Sequence, residues 1–393
     1  MTFDFERVYN RRQQGSRKWL AANEWTAQPA DDIIPMTVAD MDFATPEPIK
    51  KALKDYVDDS ILGYTNPTAD YLAAVQAFYK KEHDTEIDPS WITTTPGVVP
   101  ALANAIRAYT EPGEGVIIMP PIYPPFYHII DAQDRKVLKN PLELVEGHYE
   151  INFEQLEELA AQDEAKMLML CSPHNPGGRV WTPAEMEKIA NIVVENDLFL
   201  VSDEIHHDLI HCEHPHTVAF TADERLLDRC IVCSAASKTF NIAGLQCSNI
   251  IIPNEHHMEL FLEELGRIGV QDANVLGMVA TQAAYLECDE WLEAAKQVIE
   301  RNLQIVSDFF HEWDDRWLVM EQEASFLAWI GFEKLADDAD TFIEKMATES
   351  SFYVNAGKDY GEEGRYFIRI NVGLPEKKLL KNLNRLKENL ELN

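Results

Sequence analysis

The sequence predicts an α/β protein: a mostly parallel central sheet in a larger domain, followed by a smaller α+β domain. Three observations carry this expectation. Short apolar runs alternate with amphipathic helical stretches through the middle of the chain. Those runs are apolar without interruption, as strands covered on both faces are. After roughly residue 285 the pattern changes to one long helical stretch and shorter strands.

The strand candidates come in order. GVIIMP (Gly115 to Pro120), KMLMLCSP (Lys166 to Pro173), LFLVSDEI (Leu198 to Ile205), CIVCS (Cys230 to Ser234) and SNIIIP (Ser248 to Pro253) read as buried strands. Between them lie helices such as TPAEMEKIANIVVEND. It opens with a capping box: Thr182 as N-cap, Pro183 at the first helical position and Glu185 three residues on. DEWLEAAKQVIERNLQIVSDFFHEW then reads as a long helix, and SFLAWI (Ser325 to Ile330) and YFIRINVG (Tyr366 to Gly373) as strands. The expected division is an N-terminal segment 1–45 packing with the small domain, a large domain 46–285 and a small domain 286–393.

Composition narrows the function classes. The 393 residues are 46% hydrophobic and 26% charged, as in a soluble globular protein. Against 34 Lys+Arg stand 67 Asp+Glu, a net charge of −33, which repels nucleic acid and anionic membrane at long range. The apolar runs are strand-length, too short to span a membrane. MTFDFERVYNRRQQGSRKW carries early acids and no apolar segment, unlike a signal peptide. Six Cys in a chain this long do not make a disulfide framework, and a reducing cytoplasm is expected. Cys230 and Cys233 form a C-x-x-C. With no second pair beside it, the reading is buried strand thiols rather than a metal or redox site.

In open parallel sheets, ligands bind outside the carboxyl ends of the strands. Here KMLMLC runs into SPHNPGG, LFLVS into DEIHHD and CIVC into SAASK. Three successive strand ends therefore present Asn175, Asp203 and Lys238, an amide, a carboxylate and an amine. Lys238 lies among Ala, Ser and Thr rather than other charges. An amine becomes a nucleophile and base only when its pKa is brought toward neutrality, which small neighbours favour.

Taken in order, SPHNPGG, SDEIH and the SASK-type loop resemble the fold-type I pyridoxal phosphate (PLP) enzymes of the aminotransferase class I/II group. VADMDF (Val38 to Phe43), GYT (Gly63 to Thr65), PIYPPF (Pro121 to Phe126) and KTFNIAGLQ narrow the resemblance to the C–S lyase subgroup, the cystathionine β-lyases and cysteine desulfhydrases. It runs from about Asp40 to Gly373.

The resemblance implies a role for each of these positions. Lys238 is the Schiff-base lysine. Asp203 pairs with the pyridine nitrogen, making the ring an electron sink; a helix-capping Asp is the other reading. Asn175 bonds the ring hydroxyl, and Pro176 matches a position where the peptide is often cis; a tight turn also explains HNPGG. Tyr123 stacks on the ring, or simply packs in a Pro-rich loop. His206 stands where many aminotransferases have Tyr and the lyase subgroup has His. The phosphate rests on Gly97 and Val98, before an apolar helical run in TTTPGVVPALANAIRAY, with Ser237 adding a hydroxyl. Tyr64 reaches the phosphate of the neighbouring subunit, which makes the protein a homodimer. Arg369, Asn175 and the backbone of Ala39 hold the substrate α-carboxylate; an internal salt bridge is the alternative for Arg369. Two positions depart from the pattern. Ala235 stands where many relatives have Ser or Thr, with Ser234 one step earlier, and Gln246 where many have Arg. One phosphate charge thus lacks its usual partner.

The HHDLIHCEHPH stretch invites a metal reading, with His207 and His211 at i, i+4. No H-E-x-x-H pattern occurs, and no metal is expected. The implied reaction is α,β-elimination on L-cystathionine, cysteine or cysteine S-conjugates, giving pyruvate, ammonia and a thiol. Lys238 acts as general base, and Lys238 or Tyr123 protonates the leaving thiolate. Aminotransferase chemistry shares the scaffold. Some relatives also act as regulators by binding a transcription factor.

Overall fold

A computed structural model describes residues 3–25, 30 and 32–392. Residues 1, 2, 26–29 and 31 of the N-terminal segment lie outside the described residues. Among the described residues thirteen strands are formed: β1 (Ile92–Thr95), β2 (Gly115–Ile118), β3 (Lys136–Lys139), β4 (Glu143–Val145), β5 (His148–Glu150), β6 (Ala165–Cys171), β7 (Phe199–Asp203), β8 (Cys230–Ser234), β9 (Ser248–Ile251), β10 (Leu318–Val319), β11 (Leu327–Gly331), β12 (Asn355–Ala356) and β13 (Phe367–Asn371).

Seven of them make one sheet in the order β1-β9-β8-β7-β6-β2-β3. Strands β3, β2, β6, β7 and β8 are parallel, while β9 runs antiparallel to both β8 and β1. SNIIIP therefore joins the sheet reversed. The chain between β8 and β9 holds a four-residue helix, Ala236–Thr239, and one 3₁₀ turn. No crossover helix returns it along the sheet, so it pairs back instead. Strand β1, ITTT, was not among the expected strands. Its three threonines hide it from an apolar search, yet all four residues are buried.

Alternation along β6 feeds two cores. Leu168 and Leu170 enter the cluster on one face, Met167 and Met169 that on the other, all four fully buried. Each such side chain contributes roughly 1.5–3 kcal/mol. The helix Pro183–Glu195 covers the first face through Met186, Ile189, Ala190 and Val193, and the capping box at Thr182 and Glu185 is present.

The second sheet is antiparallel, in the order β10-β11-β13-β12. The helix Asp289–Trp313 turns Ala295, Ile299, Asn302, Val306 and Phe310 inward, and Asn302 donates to the carbonyls of Val372 and Leu374. The N-terminal segment lies along this sheet: Met36 N–H donates to Tyr353 O, and Asn371 N–H to Met36 O. Cys230 and Cys233 are buried free thiols in β8. No helix among the described residues is long and apolar enough to cross a membrane.

Candidate active site

Register sets the site. Cys171, Asp203 and Cys233 are aligned across β6, β7 and β8, so the turns that follow open on one rim. Strand β1 shares the direction of β8, because β9 reverses between them. Gly97, just past β1, therefore opens on the same rim. Strand β13 of the second sheet brings Arg369 to it.

Lys238 sits on the short helix directly after β8 and is partly buried. Its Nζ donates to Ala39 O at 2.7 Å. Burial, and then the Arg369 cation, lower its pKa to about 8 against the pull of Asp40 and Asp203. Asp203 is buried and accepts one hydrogen bond, from Ile205 N–H at 3.2 Å. Burial pushes its carboxyl up to about 7. The residues after it form turns rather than a helix, so it caps only a local turn. His206 is buried with no hydrogen-bond partner at Nδ1. Burial, then Lys238 and Arg369, lower its pKa to about 3, which keeps the ring neutral.

Arg369 is 3% exposed, and among the described residues it forms no ion pair, its hydrogen-bond partners being neutral. Its Nη1 donates to Asn175 Oδ1 at 3.1 Å and its Nη2 to Asn355 Oδ1 at 2.9 Å. Its guanidinium carbon lies 5.1 Å from the Tyr360 ring centre, and Nε has no partner. The internal salt bridge read from the sequence as an alternative is not formed. Tyr123 is half-buried in the loop before the helix Pro125–Asp131, and burial raises its phenol pKa. The Asn175–Pro176 peptide is cis.

Gly97 is the N-cap of the helix Val98–Tyr109, with φ 136° and no side-chain cap. Only glycine adopts that backbone readily, and the first-turn N–H groups are left for an anion. Ser237 adjoins Lys238. Ser234 turns inward and accepts from Tyr79 Oη at 2.7 Å, while Gln246 is exposed in a left-handed conformation. Tyr64 is fully exposed and does not join the rim of its own chain.

The chain matches the family model for aminotransferase class I and II over residues 31–386. It belongs to that family. Within it, the chain is 36% identical to cystathionine beta-lyase PatB of Bacillus subtilis (strain 168), over 98% of this chain and 99% of that protein. It is 33% identical to protein MalY of Escherichia coli (strain K12), over 96% of each. The solved structure of cystalysin from Treponema denticola, which contains a pyridoxal 5'-phosphate cofactor, superposes with a TM-score of 0.97. That match has 39% identity and covers 99% of this chain and 98% of that one.

The residues present suit the family's cofactor. Asp203 is a buried carboxyl whose hydrogen bond comes from a backbone N–H and which has no cation at ion-pair distance among the described residues, matching a protonated ring nitrogen. Arg369 is a buried cation with only neutral partners, matching a carboxylate. Gly97 and Val98 offer unsatisfied amides, matching a phosphate.

Several neighbours of these family positions carried no sequence signal. Asn355, on β12 beside β13, and Tyr360, on the 3₁₀ turn that follows it, box Arg369. Asn241 binds the backbone of Met41 and Phe43. A buried network lies behind the rim. Asp208 accepts from Thr239 Oγ1 and sits 2.9 Å from His83 Nε2 and 3.2 Å from His207 Nε2; Glu204 sits 2.8 Å from His216 Nε2. Two groupings here gather metal-type ligand atoms, His83–His207–Asp208 and Glu204–His207–His216. The rings of His83 and His207 stack at 4.2 Å and 25°. The 2.8 Å of His216 to Glu204 is a hydrogen-bond separation, shorter than the roughly 3.3 Å between ligand atoms around tetrahedral zinc. The geometry is that of an ion-pair network. His211, the other member of the i, i+4 pair, turns away to Ser325 O at 2.7 Å.

Proposed function

We infer that the protein is a pyridoxal-phosphate-dependent carbon–sulfur β-lyase. It cleaves L-cystathionine, cysteine or cysteine S-conjugates to pyruvate, ammonia and a thiol. One observation carries this reading within the family. An amine lowered to about 8 lies within electrostatic reach of a buried acid and a buried guanidinium, neither of which makes an ion-pair contact among the described residues.

Pyridoxal phosphate, when bound, supplies an electron sink for a carbanion at Cα. Lys238 would hold it covalently. Asp203 would keep its ring nitrogen protonated, Asn175 and His206 would meet its ring oxygen, and Tyr123 would cover its face. Gly97, Val98 and Ser237 would receive its phosphate. The protein's own groups then do the rest. Arg369, with Asn175 and the backbone of Ala39, holds the substrate α-carboxylate and so orients the Cα–H bond. Lys238 Nζ, freed as an amine, accepts the proton from Cα. The Cβ–S bond breaks, and Lys238 or Tyr123 Oη returns a proton to the departing sulfur. The released aminoacrylate hydrolyses to pyruvate and ammonia.

Tyr64 extends the reading to a homodimer. Its exposed ring, with Ile61 and Leu62 beside it, forms an apolar edge suited to a second copy whose phosphate it would reach. The six free cysteines accord with a cytoplasmic location.

The test is pyruvate release from L-cystathionine by wild type and Lys238→Ala, with and without a 2-oxo acid. Pyruvate from wild type alone, needing no 2-oxo acid, is expected. A new amino acid formed from the 2-oxo acid, without pyruvate, would instead make the protein an aminotransferase.

A further inference from the structure

The reading above leaves one buried lysine without a task. Lys18, on the helix Arg17–Trp25, is 1% exposed. Its Nζ donates to Asp42 Oδ2 at 2.6 Å and to Asp40 O at 2.8 Å, and lies 3.3 Å from Asp40 Oδ1. Arg11 reaches the other oxygen of Asp40 at 2.8 Å. These contacts grip the VADMDF loop from the N-terminal side. Asn371, at the end of β13, grips it from the second sheet by donating to Val38 O and Asp40 O, both at 2.7 Å. Asn241 grips it from the first sheet, bonding Met41 N–H and O at 2.9 Å each.

The grip imposes an unusual backbone. Val38 has φ 42°, a region a β-branched residue adopts only when its surroundings over-determine it. Asp40 N–H donates to Val38 O at 2.9 Å, closing a three-residue turn around Ala39. The central carbonyl of such a turn is left out of the turn's own bond. Ala39 O therefore points free, and the bond it accepts is the one from Lys238 Nζ.

We propose that Lys18 is a positioning residue for the reaction: through Asp42 and the Asp40 carbonyl it holds Ala39 O as the acceptor that orients the freed amine of Lys238. This rests on the reading of Lys238 as the reacting amine. Without Lys18 the turn relaxes, Ala39 O leaves its place, and the amine samples orientations unsuited to taking a proton from Cα. Arg369 and Asn175 keep their own contact at 3.1 Å and hold most of the substrate carboxylate, so the lost Ala39 backbone contact weighs on KM less than the misplaced amine weighs on kcat.

The experiment uses the full-length, cofactor-loaded enzyme. Lys18→Met leaves the buried Asp42 with only the more distant Arg11, 3.8 Å away, and can unfold the protein, so it is paired with Asp42→Leu. The expected result is a kcat about ten-fold or more below wild type with KM within about three-fold. Hydrogen exchange at the amides of residues 40–42 is expected to quicken in both the cofactor-free and loaded protein, with cofactor absorbance unchanged. A second pair, Lys18→Gln with Asp42→Asn, keeps size and polarity and should show the same split more weakly. Should either folded pair keep kcat within about two-fold of wild type, the positioning role is wrong. Lys238→Ala in the same assay separates the two readings. If it is inactive while the pairs are normal, only the role of Lys18 falls. If it is fully active, the reading of Lys238 falls with it.

Discussion

Arg369 and Asn175 meet across the two sheets: Nη1 of the arginine donates to Oδ1 of the asparagine at 3.1 Å, over 194 residues of sequence. Neither partner discharges the guanidinium. The site thus holds a desolvated cation, oriented by Asn175 and Asn355, with no anion of the protein's own. Replacing it should act on substrate carboxylate binding. Arg369→Lys loses the planar fork and should lower kcat/KM for L-cystathionine at least about 100-fold, mostly through KM. Cofactor absorbance should stay as in wild type. Steady-state kinetics on the variant decide it, and an unchanged KM would reassign the arginine.

Asp203 makes a prediction of opposite sign for activity and stability. Its folded carboxyl sits near 7, above the ordinary range. Below about pH 4 both folded and unfolded states hold the proton. Between about 4 and 7 the unfolded chain releases it first, so the cofactor-free protein loses stability as pH rises. Asp203→Asn should remove that loss. The cofactor-free variant should melt a few degrees higher than wild type at pH 8 and show no gain at pH 4. The loaded variant should lose activity by about 10³ because the ring nitrogen loses its anion. Paired melting curves at the two pH values test this, and a variant less stable at pH 8 would contradict it.

The network behind the rim stabilises by charge pairing. Burial works to raise Glu204 and Asp208, but the histidines outweigh it: Glu204 titrates near 2 and Asp208 lies well below the carboxylate range. Burial likewise opposes protonation of His207, which its two carboxylates nevertheless favour. The carboxylate contribution is present above about pH 4 and disappears as pH falls toward 2. His207→Gln leaves both anions short of a cation and should destabilise by about 3–5 kcal/mol at pH 7. Denaturant midpoints measure it, and a loss under about 1 kcal/mol would show that His207 is neutral there.

Tyr64 allows a test of the proposed dimer without a structure. Tyr64→Ala and Lys238→Ala should each be strongly impaired alone. If Tyr64 serves the partner's site, a refolded equal mixture contains mixed dimers with one intact site, and recovers about a quarter of wild-type activity. No recovery above either parent would place Tyr64 outside the partner's site.

Much of the site could be read from strand ends. β6, β7 and β8 are mostly apolar runs whose ends are legible: Asp203 closes β7, and Asn175 and Lys238 follow the ends of β6 and β8 within a few residues. Strand β1 and the short or exposed β3, β4, β5, β10 and β12 escape an apolar search, and β9 is legible as a strand but not in its direction. β1 is made of threonines, and the direction of β9 depends on a connection whose path periodicity does not record.

The sequence by itself determined the α/β layering and the residue types at the rim, because both follow from local apolar period and local punctuation. Only the tertiary structure decided what those residues face. Among the described residues, Arg369 and Asp203 are buried without an ion-pair contact because chain segments far apart in sequence close over them together. The turn around Ala39 exists because Lys18, Asn241 and Asn371 converge on it from three separate parts of the chain. Desolvation and hydrogen-bond closure are properties of such assembled surroundings, and no single stretch of sequence carries them.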